Sequence, residues 1–186
     1  IGLYEALEIL GYDIMTKEGQ DYVLEILNVI NTTNKELQDK YKAPQNCEQI
    51  PGENVSVKLA KKDRALGYND KYTLYSNQFI PLIKRVNMFD RIAIQALFDK
   101  HFSGGAICHL NVNQEINDVN TMQNLIHASV KEGVVYFAVN FVLQECENKH
   151  MFVGNVDTCP HCGGKIIGTF TRVVGFLTKV DNWIPE

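Results

Sequence analysis

The chain has 186 residues, 45% of them hydrophobic and 22% charged, enough for one domain with a core of its own. A net charge of -4 and a pI of about 5.7 speak against a nucleic-acid-binding surface. No apolar run approaches the length of a membrane span, and no charged leader opens the sequence, so neither a membrane nor a secretory role is expected. The chain starts abruptly at Ile1-Gly-Leu-Tyr inside an apolar stretch, as a piece of a larger protein would.

Helices are expected over 3–11 and 17–41. In the second, Val23, Ile26, Leu27 and Ile30 recur at helical spacing behind Thr16 as a cap, and Pro44 closes the region. The loop Glu48-Gln-Ile-Pro51-Gly52-Glu53-Asn54 leads into a third helix, Val55 to Asp63. A Pro-Gly loop at a helix start offers free N–H groups to a phosphate. Spacing alone favours the simpler reading, a turn and a capped helix. Alternation over 72–80 predicts a strand ending before Pro81. Phe89, Ile92, Ala93, Ala96, Leu97 and Phe102 form a helical stripe behind Asn87, read as core. Gly104-Gly105 breaks that helix, and 106–112 predicts a buried strand in which His109 is a hydrogen-bonded core histidine and Cys108 a buried apolar residue. A helix over 118–132 is expected to turn Met122, Leu125, Ile126 and Val130 inward and to stop at Gly133. An apolar strand over 134–143 follows. Strands apolar on both faces, alternating with helices, indicate an α/β architecture.

Composition changes at 144–168, where Cys, Gly, His and Asp concentrate. Five cysteines (Cys47, Cys108, Cys146, Cys159 and Cys162), with one Cys-x-x-Cys and no secretory signal, read as metal binding inside a cell and not as a disulfide framework. Cys159-Pro-His-Cys162-Gly163-Gly164 is a zinc-knuckle sequence. Structural zinc takes four ligands; Cys146 and His150 upstream would make a Cys₃His set, with a water or another side chain as the alternative to His150, and His161 is expected to point away. A redox Cys-x-x-Cys would open a helix after a strand, whereas here Gly-Gly runs into β-type Lys-Ile-Ile. Further on, Gly175 stands between branched and aromatic residues. It reads either as a bulge or turn, or as a glycine whose Cα hydrogen is removed to leave a planar radical, which a side chain would hinder.

Cys-x-x-Cys-Gly followed by Arg172-Val-Val-Gly175-Phe-Leu and Asn182-Trp183 resembles the C-terminal end of the anaerobic (class III) ribonucleoside-triphosphate reductases, a glycyl radical enzyme family. Matches continue upstream in order. Ile1-Gly-Leu-Tyr-Glu-Ala-Leu resembles a strand-to-helix junction of the family. Pro51-Gly52-Glu53-Asn54 with Leu59-Ala-Lys-Lys-Asp63 resembles its Pro-Ala-Glu-Ser loop and the helix after it. Tyr75-Ser76-Asn77-Gln-Phe-Ile-Pro81 and Ser103-Gly104-Gly105-Ala-Ile-Cys-His109 resemble two further blocks. Departures are Phe176, where Tyr is common, and His150 in place of a fourth cysteine.

The resemblance reverses the weighting of the Pro-Gly loop and of Gly175. It implies the C-terminal part of a ten-stranded α/β barrel over 1–143, a zinc-binding module over 144–168 and a radical loop region over 169–186. It implies reduction of ribonucleoside triphosphates to 2′-deoxyribonucleoside triphosphates by glycyl and thiyl radical chemistry. Gly175 would carry the radical, and Pro51, Gly52, Glu53, Asn54, Ser76 and Asn77 would hold substrate. Cys146, His150, Cys159 and Cys162 would bind structural Zn²⁺. An activase with an iron–sulfur cluster and S-adenosylmethionine would install the radical, and formate or a dithiol would serve as reductant. The family's catalytic cysteine and its nucleotide-effector region lie upstream of Ile1, so this stretch alone is expected to be inactive. The parent enzyme is expected to be a cytoplasmic homodimer. Two rival readings remain open from the residues: a non-enzymatic zinc-knuckle module that binds a partner, and another glycyl radical enzyme acting on a small organic substrate.

Overall fold

The computed structural model describes residues 1–50, 52–112, 114–172 and 177–180. Gly175, Pro51, Asn182 and Trp183 lie outside the described residues, as does the Glu53 side chain.

Helix α1 spans Leu3–Leu10 and ends on Gly11, whose φ of 84° lets its N–H turn back to the carbonyls of Glu8 and Leu7. Helix α2, Lys17–Tyr41, starts where the Thr16 side chain accepts from Gly19 N at 3.2 Å. Position 19 must be glycine, because a Cβ there would stand 2.0 Å from the Asp13 carbonyl oxygen. The stripe Val23 and Leu27 faces inward and joins Leu7, Ile14, Cys47, Phe79, Ile80, Ile94 and Phe98 in a first core, while Ile30 is 39% exposed.

Helix α3, Glu53–Ala65, begins at Gly52, and α4, Met88–Asp99, begins at Asn87, whose side chain accepts from Phe89 N. The buried face of α4 runs through Ile92, Ile94, Gln95, Phe98 and Asp99. Phe89, expected in the core, is 57% exposed, and Ala93, one turn along the same stripe, is exposed too, whereas the neighbouring Met88 packs against the core of Ile92, Cys108 and Leu110.

The strand expected over 72–80 does not form. The stretch is irregular yet buried, with Leu74, Ser76, Asn77, Gln78, Phe79 and Ile80 all inside. Its backbone groups are taken up by other elements instead of a ladder. Gly2 N donates to Ser76 O at 2.7 Å, Ser76 N to Glu5 Oε1 at 2.9 Å, and Tyr75 N to Ser56 O at 3.3 Å. A buried backbone must be hydrogen-bonded, but not to a strand.

Strands β1 (Cys108–Val112) and β2 (Phe137–Phe141) pair in parallel, with Cys108 opposite Phe137 and Val112 opposite Phe141. Helix α5, Val119–Glu132, connects them, capped by Asp118 and stopped by Gly133 at φ 99°. A second core of Ile92, Cys108, Leu110, Leu125 and Val134 lies between this pair and helices α4 and α5. On α5 the inward stripe is Met122, Leu125 and Ser129. Ile126 and Val130, expected inward, are 41% and 66% exposed. They lie on the adjacent stripe of the helix, and the small Ser129, not a larger residue, meets the packed face.

The long strand expected over 134–143 is divided. Val142 N donates to Val112 O, and the chain then changes partners. Strands β3 (Leu143–Cys146), β4 (Met151–Val153), β5 (Ile166–Arg172) and β6 (Leu177–Lys179) form an antiparallel sheet in the order β4-β3-β5-β6. A bulge falls between Glu145 and Cys146. The structure is thus mixed: a parallel β–α–β unit under helices, continued by an antiparallel sheet.

Candidate functional site

Cys146 ends β3 and His150 precedes β4, so the first pair of candidate ligands closes a hairpin turn. Within it Cys146 N donates to His150 O at 3.1 Å, and Lys149, at φ 66°, donates to Cys146 O at 2.9 Å. The second pair lies on the turn before β5. Gly163 N donates to Cys159 O, Cys159 N donates to Gly164 O, and Gly163 takes φ 71°. The two turns are laced together by Glu147 N donating to Lys165 O and Lys165 N donating to Glu147 Oε1, both at 2.9 Å.

The ligand atoms of Cys146, His150, Cys159 and Cys162 converge within 4.8 Å of one another. Cys146 Sγ and Cys162 Sγ are 3.8 Å apart, and Cys159 Sγ is 3.7 Å from His150 Nδ1. Tetrahedral zinc with bonds of about 2.3 Å to sulfur sets two sulfurs about 3.8 Å apart, the spacing of Cys146 and Cys162, so the cluster could hold a metal ion of that kind. His161 stays outside it, its ring edge-on to those of Phe152 and His150. Cys146 and Cys159 are buried and Cys162 is exposed. The Asn148 side chain donates to Cys162 Sγ at 3.3 Å and is the foremost influence pulling that thiol down to about 6, whereas burial pushes Cys159 up. Asn148 was not legible in the sequence. Its only signal is an amide side chain inside the Cys-x-x-x-His spacer.

A polar chain crosses the other end of the sheet system. Gln78 Oε1 accepts from His109 N at 3.3 Å. The Asn140 side-chain nitrogen stands 3.2 Å from both His109 Nδ1 and Asn111 Oδ1, and Asn111 Nδ2 donates to Arg172 O at 2.9 Å. An amide nitrogen only donates, so Nδ1 accepts and the imidazole is the neutral Nε2–H tautomer. Burial, and then the Arg172 charge, lower the His109 pKa to about 4. The expected core histidine is therefore hydrogen-bonded and uncharged at neutral pH. Cys108, wholly buried, is pushed up to about 12, as befits an inert thiol. Arg172 closes β5 immediately before residues 173–176.

Of the proposed substrate positions, Gly52 is buried, and a Cβ there would meet Ile1 Cδ1 at 2.4 Å. Asn54 is exposed in the first turn of α3. The bond from Tyr75 N to Ser56 O sets the 75–78 segment beside that turn. Ser76 Oγ is used within its own turn, bonded to Gln78 N and O. Asn77 Oδ1 and Gln78 Nε2 are buried without a hydrogen-bond partner among the described residues. Ser76, Asn77 and Gln78 line a cavity of about 370 Å³ together with Gly2, Leu27 and Phe79.

A family profile described as "Anaerobic ribonucleoside-triphosphate reductase" matches residues 1–186. The anaerobic ribonucleoside-triphosphate reductases of Escherichia coli (strain K12) and Salmonella typhimurium (strain LT2) are each 27% identical over 146 residues, covering 70% of this chain and 20% of theirs. The chain thus spans about a fifth of the curated relatives it matches. A solved anaerobic ribonucleotide reductase superposes with a TM-score of 0.80 at 33% identity, over 98% of this chain and 30% of that one. The anaerobic ribonucleotide reductase from Thermotoga maritima in complex with dATP and CTP gives 0.77 at 33% identity, over 98% of this chain and 31% of its own. The chain belongs to the anaerobic ribonucleoside-triphosphate reductase family.

Proposed function

We propose that this chain is the C-terminal part of an oxygen-sensitive reductase that converts ribonucleoside triphosphates to 2′-deoxyribonucleoside triphosphates, with the radical stored on Gly175. The observation that carries the reading is a family match over the whole chain joined to a Cys/His tetrad one strand before the segment holding Gly175. Residues 1–143 form part of a ten-stranded barrel, 144–168 the metal module and 169–186 the radical loop region. An activase using S-adenosylmethionine and an iron–sulfur cluster removes the Gly175 Cα hydrogen, and the radical passes to a cysteine upstream of Ile1. That thiyl takes the 3′-hydrogen of the ribose, and formate or a dithiol supplies the reducing equivalents. The protein's part is to position and shield these species.

Cys146, His150, Cys159 and Cys162 hold Zn²⁺. With four protein ligands the ion has no open position, so it supplies folding energy and no Lewis-acid chemistry. The module fixes β3 to β5, and β5 leads to Arg172 and the radical loop. Substrate phosphates meet the start of α3 at Pro51, Gly52, Glu53 and Asn54, with Ser76 and Asn77 beside them. Gly52 N is itself bonded to Ile50 O at 2.9 Å, so the helix dipole and the N–H groups that follow Gly52 are what favour an anion. Nucleotide effectors act on a region upstream; in the Thermotoga maritima enzyme dATP is bound in the specificity site. The working assembly is a cytoplasmic homodimer, and no helix of the described residues is long and apolar enough to cross a membrane.

Air admitted to the activated parent chain is expected to cut it at Gly175, releasing one short C-terminal piece visible by mass spectrometry. A chain that stays intact in air after activation would contradict the radical assignment.

A further inference from the structure

The two ligand-bearing turns are joined by side chains that are not themselves ligands. Asn148 lies on the turn between Cys146 and His150, yet its amide reaches across to Cys162 Sγ on the other turn at 3.3 Å. Room for this contact is made at Gly164. A Cβ there would stand 2.9 Å from Glu147 Oε1, 3.0 Å from Asn148 Nδ2 and 3.2 Å from Cys162 Sγ. On the same turn Glu147 bonds both backbone groups of Lys165, and Lys149 takes the left-handed φ of 66°. Glu147 and Asn148 therefore close the first turn onto the second from the solvent side.

Cys162 is the exposed cysteine of the three, so it is the ligand that water or a competing chelator reaches first. Three thiolates against a divalent ion also leave an excess negative charge, which N–H donors to sulfur offset. We infer that Asn148 is a positioning residue for the metal centre: its N–H···S hydrogen bond orients the Cys162 thiolate, draws charge from it and slows loss of the ion. The inference rests on the reading of this tetrad as a zinc site. Partners outside the coordination sphere contribute about 10–100-fold in metal affinity at other sites, and a change of that size is expected here.

The test uses the zinc-loaded parent chain and its Asn148→Ala and Asn148→Asp variants. Zinc release to a chromophoric chelator is followed, together with the thiolate-to-metal charge-transfer band of the cobalt(II) form. Asn148 is exposed, so both variants are expected to fold. Alanine should speed release by about 10–100-fold, and aspartate more, since it sets a like charge beside the sulfur. The band should move to lower energy as the sulfur lone pair loses its donor. Unchanged release, or faster release with an unmoved band, would overturn the inference and leave the zinc reading standing. A wild-type chain that holds no zinc would overturn the zinc reading and the inference with it.

Discussion

Replacing Cys159 by serine is expected to empty the metal centre and unfold residues 144–168. Cys159 is buried, and its sulfur faces His150 Nδ1 at 3.7 Å, so the variant keeps one soft ligand on each turn and a hydroxyl in place of the third thiolate. Apparent binding free energies of structural zinc are about 10–16 kcal/mol in small domains, and that energy is folding energy. The described residues show why so much rests on the ion: between Cys146 and Lys165 regular structure amounts to the three residues of β4 and one isolated bridge. Metal content per chain should fall from one zinc to none, and protease should cut first within 147–165. Because β3 and β5 are neighbours, loosening should spread to Arg172, and activase-dependent radical yield should fall although Gly175 is untouched. A variant with full zinc content and wild-type proteolysis would contradict the tetrad.

His109 gives the second large effect, a pH dependence of stability. The unfolded histidine ionises near 6.5 and the buried one near 4, because burial penalises the imidazolium. A protonated ring would also set an N–H against the Asn140 amide donor. As pH falls from 6.5, the unfolded state takes up a proton that the folded state refuses, so stability is complete above 6.5 and is lost on the way to 4. The loss is about 3 kcal/mol, or about 6–12 °C in melting temperature for a chain of this size. In a His109→Gln variant, which keeps an acceptor for Asn140, this part of the pH dependence should vanish. Melting curves of this 186-residue chain and of the variant at pH 7 and pH 4.5 check it. Equal losses in both would place the sensitivity elsewhere.

Features set by local chemistry were legible in the sequence. Thr16, Asn87 and Gly133 stand at helix ends because a side-chain oxygen or a left-handed glycine is needed there. The convergence of Cys146, His150, Cys159 and Cys162 was anticipated from thiolate and imidazole spacing. What escaped was set by distant partners. The 72–80 segment alternates like a strand, but its backbone is bonded to Gly2, Glu5 and Ser56, residues no local pattern connects. Ile126 and Val130 have the right spacing for a buried stripe, yet the face that α5 presents was fixed by α4 and β1. Asn148 depends on two turns meeting in space, and the chain from Gln78 to Arg172 on three strands, β1, β2 and β5, doing so, which periodicity does not report.

The most direct test of the radical assignment is electron paramagnetic resonance on the parent chain, activated without oxygen by its activase, beside a Gly175→Ala control. A doublet from one α-hydrogen, absent in the control, is predicted. No signal from the wild-type chain, with an activase shown to cleave S-adenosylmethionine, would contradict the account and return Gly175 to the role of a turn residue.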